Sequence, residues 1–528
     1  MIRALFLLMT LWATSLAYSQ DNGIPFAINI EEITYEDWPG LHSFAFGEWD
    51  DYWVFIGGRL NGLHGFFLAT GFPESEANDR IWVMDKANGD YWSYSVEDFP
   101  GEWKDFLRGT NPQFAQREQY LYILGGYGKD NSSEDFLTFD LLMAVDLSIL
   151  VPAVISGQSP LAAFRSIQDS RIKVCGGEMH ELGTYFYLFG GHDFNGLYNQ
   201  TGPPAFTQEY TSELKKFKIA DDGMNLSIEN YSAIAQPEFH RRDLSMSAAR
   251  TSEGEEALAV FGGVFKPDAD EAYLNPIYIT ESGINIDFTY EQKMSQYTCP
   301  LIPLFSEASQ EQYYLFFGGI SLHYLDEDGQ TLIEDPLMPF IDEITTFVKY
   351  ENGSSEEFIL SEHFDELLGA NAKFIPAPDI PLYDNGVIKY DQLSGQVLLG
   401  YIYGGIRASI PNFTPSSASN RLFEVYLTAP VGTKTTPADS YLARIFPNPA
   451  KDVLNIQISP DFTPAHARLY NATGRIFLES TSTQTRPALL ADIQSCWKTL
   501  PAGIYFLSLS EGDGYDAQVH TLRIVKGR

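Results

Sequence analysis

Trp53 to Gly58 reads WVFIGG, an apolar run closed by two glycines. The pattern returns as LYILGG at Leu121 to Gly126, FYLFGG at Phe186 to Gly191, LAVFGG at Leu258 to Gly263, YLFFGG at Tyr314 to Gly319 and YIYGG at Tyr401 to Gly405. The leading glycines, Gly57, Gly125, Gly190, Gly262, Gly318 and Gly404, are spaced by 68, 65, 72, 56 and 86 residues. Recurrence of one supersecondary unit at such a period marks a repeat architecture. The runs are continuously apolar rather than alternating, as in strands buried on both faces. A glycine pair (Gly57 and Gly58, Gly125 and Gly126, and their counterparts) suits a strand end that neighbouring chain crowds. A further pair, Gly176-Gly177, lacks the aromatic run and lies too near Gly190 to head a unit of its own.

Working outward from the first unit, His42 to Trp49, Tyr52 to Ile56, Arg80 to Asp85 and Tyr91 to Val96 read as four strands. Asp50-Asp51 and Asn88-Gly89-Asp90 supply the turns. This set resembles the kelch repeat, whose glycine pair closes the second strand and whose fourth strand carries an aromatic residue. The resemblance implies an all-β, six-bladed β-propeller over residues 20–433, its loops longer than those of a unit of roughly 50 residues. The 86-residue interval before Gly404 leaves room for a degenerate seventh blade. Phe26 to Ile33 (FAINIEEI) alternates like a strand and is expected to complete the last blade, closing the ring with both ends of the domain.

The two ends of the chain read differently. Met1-Ile2-Arg3, the apolar stretch Ala4 to Ala13 and Ala17-Tyr18-Ser19 compose a secretory signal over residues 1–19 with an A-x-S cleavage site, too short to span a bilayer. After a linker at 434–440 come Phe446-Pro447-Asn448-Pro449, Asp452 to Ile456, Arg468 to Arg475 with Gly474, and Leu500-Pro501-Ala502-Gly503-Ile504-Tyr505, then a basic strand at Leu522 to Lys526. This ordered set resembles the type A C-terminal sorting domain of type IX (Por) secretion in Bacteroidota-like bacteria, and the resemblance covers residues 441–528. It implies a small immunoglobulin-like β-sandwich read by the secretion machinery at the outer membrane. Ile493 to Thr499, with Cys496 and Trp497, departs from that pattern and is expected to be a local loop.

Charge separates the parts. The chain carries a formal −36, yet residues 434–528 hold ten basic and eight acidic residues, so residues 20–433 carry −39. An acidic surface of that size repels nucleic-acid phosphates and anionic membranes, so neither nucleic-acid binding nor membrane insertion is expected. Three cysteines, Cys175, Cys299 and Cys496, are too few and too odd in number for a disulfide scaffold; they read as free thiols.

The resemblance to kelch propellers implies ligands on the face built by loops joining strands two and three and loops leading into the next blade. The former follow the glycine pairs and concentrate aromatic and basic residues: Arg59, His64, Tyr127, His192, Tyr198, His323 and Arg407. The latter add Trp103, Arg165 and the run His240-Arg241-Arg242-Asp243. The candidate binding set is Arg59, His64, Tyr127, His192, Tyr198, His240, Arg241, His323 and Arg407. Rings that stack on a sugar face beside guanidinium groups that grip a carboxylate suit an acidic glycan; the competing account pairs the arginines with nearby carboxylates. A glycan or a surface protein is the expected partner, with no cofactor and no metal. A sialate-mutarotase or lyase activity is the alternative, with His240, Glu178 and Arg241 as the available acid, base and cation. Copper-radical oxidase chemistry lacks a cysteine in a matching context, and Asp326 to Gly329 reads as a turn rather than a calcium loop.

Overall fold

The computed structural model describes residues 23–429, apart from positions 36, 69, 200–204, 268, 270, 327–328, 330 and 413–414. Beyond these it describes 443–446, 451, 454–458, 466–471, 475–480, 486–510 and 519–526. The signal segment, the linker and the motif residues Pro447, Asn448, Pro449 and Gly474 lie outside the described residues. The chain divides into two compact units, Met1–Gly432 and Thr433–Arg528.

Among the described residues six blades of four antiparallel strands build the first unit, with the short strand Ile388–Lys389 adding parallel to the first strand of blade 5. Blade 1 runs Ala45–Trp49, Tyr52–Ile56, Arg80–Asp85 and Tyr91–Ser95. Blades 2, 3 and 4 open with Gln113–Arg117, Glu178–Leu182 and Ser245–Arg250. Blade 5 opens with Leu301–Ser306, and blade 6 with Leu367–Pro376. The outermost strand of blade 6 is Ala27–Ile33, antiparallel to Leu422–Ala429 with Ile30 opposite Val425, so the ring closes as the alternating FAINIEEI predicts. Among the described residues no seventh blade forms. The long interval holds the hairpin His323–Leu325 with Leu332–Glu334, the outer blade 5 strands Phe340–Lys349 and Ser355–His363, and the first strand of blade 6.

Each blade is apolar on both faces because each packs against two neighbours. Within LYIL, Leu121 and Ile123 pack against Val54, Ile81 and Val83 of blade 1, while Tyr122 and Leu124 pack against Phe186, Leu188 and Phe217 of blade 3. Four more clusters repeat this arrangement around the ring, the last joining Trp53 and Phe55 of blade 1 to Ile375 and Tyr403 of blade 6. The glycine pairs sit where these layers converge. Both glycines of every pair have positive φ, and a Cβ on Gly125 would lie 1.9 Å from the Val174 carbonyl oxygen in the lead-in to blade 3. The next amide, Gly126 N–H, donates to that same carbonyl at 2.9 Å, and Gly58, Gly191 and Gly405 make the equivalent bond to their own neighbours.

The loops after strand two are more ordered than their polar sequence suggests. Tyr127–Asp130 and Asp135–Thr138 from blade 2 join His192–Gly196 and Phe206–Tyr210 from blade 3 in one extra four-stranded sheet on that face. In the second unit, Ala443–Phe446 pairs with Asn455–Ile458, and a four-stranded sheet runs in the order Ile476–Ser480, His466–Asn471, Gly503–Ser510, Val519–Lys526. The stretch around Ile493 to Thr499 is not a loop but the C-terminal half of a helix, Arg486–Thr499. Leu489, Ile493 and Trp497 recur every four residues and bury one helical stripe in the core with Leu469, Leu507 and Ile524. Tyr505 packs edge-on against Trp497 and donates to the Pro501 carbonyl at 2.9 Å.

Candidate functional site

The glycine geometry propagates inward to the propeller axis. Just ahead of or within each blade's first strand one residue adopts the left-handed conformation: Ser43, Asn111, Gly176, Asp243, Thr298 and Asn371. Five backbone bonds link them around the axis: Asn111 N–H to Ser43 O at 3.1 Å, Gly176 to Asn111 at 3.4 Å, Asp243 to Gly176 at 2.7 Å, Asn371 to Thr298 at 2.5 Å and Ser43 to Asn371 at 3.4 Å. Asn, Asp and Gly tolerate this backbone best, which explains the polar character of the ring. Gly176, set aside in the sequence as part of a stray glycine pair, is the blade 3 member.

Directly above the ring, the residue before each member bridges to the residue after a glycine pair. The pairs are His42 with Arg59, Thr110 with Tyr127, Cys175 with His192, Arg242 with Val264, Tyr297 with Ile320 and Ala370 with Ile406. This tier forms the lower wall of an open chamber of about 650 Å³, and the extra sheet and the loop through His64 and Phe72 form its sides. Below it a waist of about 50 Å³ shares Asn111, Asp243, Thr298 and Asn371 with the chamber. The waist shares Glu178, Cys299, Ala372 and Lys373 with a second chamber of about 700 Å³ on the opposite side.

Four of the nine candidate residues, His64, Tyr127, His192 and Tyr198, line the upper chamber together. His64 stacks on Tyr198 at 4.8 Å and 6° and on Phe72 at 4.9 Å. Gln208 donates to His192 Nδ1 at 2.6 Å, and Tyr127 donates to the Gly196 carbonyl at 2.5 Å. Burial holds His64 neutral, its pKa pushed down to about 4. Burial and then the Arg242 charge hold His192 well below the usual imidazole range. The Cys175 thiol is pushed up to about 12 by burial; Cys175, Cys299 and Cys496 are all free.

The other five lie elsewhere. Arg59, 5 % exposed, is held by Asn61 Oδ1 and the Pro73 carbonyl beneath the Phe72 ring, in a cleft beside the chamber. Arg241, 1 % exposed, spends its guanidinium on the carbonyls of Glu238, Gly262 and Asn275, so it ties loops together rather than facing the axis. His240 stacks on Tyr210 at 4.0 Å behind the chamber wall. His323 faces Glu334 across its hairpin, and the exposed Arg407 pairs with Glu366 at 3.3 Å. The lead-in residues Trp103 and Arg165 are also committed, to Ser166 and Asp221.

The cation that does face the chamber is Arg242, one residue beyond the candidate Arg241. Its Nε donates to Tyr210 Oη at 3.0 Å, its Nη1 pairs with Asp243, and its guanidinium lies 5.3 Å from the Phe265 ring centre. Asp243 and the neighbouring tyrosines keep it protonated, while burial raises the Asp243 carboxyl against the pull of Arg242. The signal that separates Arg242 from Arg241 is position: Arg242 precedes a ring residue and so bridges inward, whereas Arg241 is turned into the inter-blade layer. A fixed, charged fork beside exposed ring faces can orient a carboxylate and stack an apolar ligand face.

Comparison with known proteins locates the export function in the second unit. Residues 444–523 match the family described as secretion system C-terminal sorting domain. That segment is an address for export, its partner is the secretion machinery that reads it, and the destination is secretion or the outer cell surface. Among the described residues no helix is long and apolar enough to cross a membrane. No curated protein matches the chain. A solved structure titled "Structure of YjhT" aligns with 73% of this chain and 99% of that one, at 11% identity and a TM-score of 0.40. The propeller rests on the six blades themselves.

Proposed function

We propose that the propeller is an exported binding module, carried out by type IX secretion, whose upper chamber receives a carboxylate-bearing saccharide. The observation that carries this reading is Arg242, half-buried at the floor of a chamber of about 650 Å³ walled by His64, Tyr198 and Phe265, with one guanidinium edge toward Tyr210 and Asp243. A sugar carboxylate would meet the guanidinium and the ring faces would take the apolar side of the pyranose. The test is a glycan array on the secreted protein followed by calorimetry on the hits. Arg242→Met is expected to weaken an acidic glycan more than tenfold, in line with the loss of a charge-assisted bond of ~1.5–3 kcal/mol. Equal binding by the variant, or hits confined to neutral glycans, would remove the carboxylate from the reading.

A second reading is a mutarotase or lyase acting in the same chamber. It is favoured by the pairing of Asp243, with its burial-raised carboxyl, to Arg242 in a chamber that the neutral His192 also lines. Faster anomeric exchange of a bound sugar, followed by NMR and lost in Asp243→Asn, distinguishes catalysis from binding alone.

A further inference from the structure

The lower chamber holds an arrangement that the upper site does not use. Glu178 begins the inner strand of blade 3, and Lys373 lies on the inner strand of blade 6. Three blades apart in a ring of six, these strands face each other across the axis, and the side chains meet beneath the waist, Lys373 Nζ to Glu178 Oε1 at 3.5 Å. Charge-assisted bonds close to about 2.7–2.9 Å, so this pair is loose. Among the described residues neither charge makes a hydrogen bond. Other ion pairs of the propeller differ: Arg117 grips both oxygens of Glu181 in the same chamber, and elsewhere Lys349 reaches Asp287 at 2.6 Å.

His180 is two residues beyond Glu178 on the same strand and so projects to the same side. Burial lowers its pKa and keeps the imidazole neutral, with the charges of Glu178 and Lys373 acting on it in opposite directions. Phe114 lies 5.2 Å from the Lys373 ammonium, and Phe374 and Met246 extend the apolar wall. The chamber lining thus offers one cation, Lys373, four carboxylates, Glu178, Glu181, Glu256 and Asp384, of which Glu181 is already held by Arg117, a neutral hydrogen-bonding ring and an aromatic surface in about 700 Å³.

We infer that the lower chamber is a second ligand site, for a zwitterionic small molecule of the amino-acid class with an apolar side chain. A lone anion entering between Glu178 and Lys373 would satisfy the lysine but leave the glutamate facing it unpaired. A ligand bearing both signs on adjacent atoms replaces the loose pair like for like, carboxylate on Lys373 and ammonium on Glu178. Its side chain then falls against Phe114 and Phe374.

Calorimetry on the full chain tests this, with L-phenylalanine as the probe and N-acetylphenylalanine and phenylalanine methyl ester as single-charge controls. Phenylalanine is expected to bind, with each control at least tenfold weaker. Glu178→Gln and Lys373→Met should each weaken phenylalanine at least tenfold, and the exchanged pair Glu178→Lys with Lys373→Glu should recover most of the loss. Absence of phenylalanine binding at millimolar concentration, or binding of the controls as tight as that of phenylalanine, overturns the inference. If a single variant fails to fold, the comparison of the three ligands on the native chain still decides it.

Discussion

At the scale of single residues, the conformation of a few backbone positions governs the rest. Gly125 has φ of 63° and no room for a methyl group, whereas Gly101, at the start of the helix Gly101–Leu107, has open space where a Cβ would go. Gly125→Ala should therefore cost about 2–3 kcal/mol in denaturant unfolding through left-handed strain and the clash with Val174. Gly101→Ala should leave the midpoint unchanged or slightly raised. Equal effects at the two sites would mean that the pair is retained for something other than its geometry. Apart from Gly176, the ring residues follow the same rule without glycine, among them Asn111, Asp243 and Asn371 at φ near 50°. That was not legible in advance, because a lone Asn or Asp before a strand is an ordinary turn residue. Only the backbone bonds from one blade to the next reveal the six as a set.

At the scale of elements, ring closure depends on Ala27–Ile33, and the residue that anchors it is Phe26, fully buried against Tyr313 and Tyr390 of the blade 5 side. Phe26→Ala should lower stability by about 3–5 kcal/mol, with the earliest loss of amide protection in Leu422–Ala429, its hydrogen-bonded neighbour; protection lost first elsewhere would show that another seam is weaker. The blade strands were legible because layers stacked on both sides leave apolar runs with a recurring stop. The extra sheet on the upper face was not, since Tyr127–Asp130 and Phe206–Tyr210 are short, polar, and pair through strands of two different blades. The helix Arg486–Thr499 could have been read from Leu489, Ile493 and Trp497 at four-residue spacing, but the strand motifs on either side favoured a loop.

At the scale of the whole molecule, acid should be a liability despite the acidic surface. His42 is pushed down to about 3 by burial and the Arg59 charge, His64 to about 4, and His192 well below its usual range. Each protonates near 6.5 once unfolded, so its contribution is complete above that pH and is lost as pH falls toward the folded value. Unfolding measured at pH 7 and pH 5 should differ by about 2 kcal/mol per histidine, and His42→Asn should flatten the slope; an unchanged midpoint would show that these imidazoles titrate freely. Deleting Ala438 to Arg528 should leave a folded propeller in the periplasm, and its appearance in the medium would mean that export does not require the tail. The upper chamber was partly legible, through the residues that follow glycine pairs, while Arg242 and Lys373 depended on which side of a strand faces the axis. The propeller's last strand, Leu422–Ala429, precedes the segment matched at 444–523, so a product cut short anywhere within the blades also lacks its address. The tail thus acts as a certificate of length: a chain that presents it has already synthesised the partner strand on which Ala27–Ile33 must close.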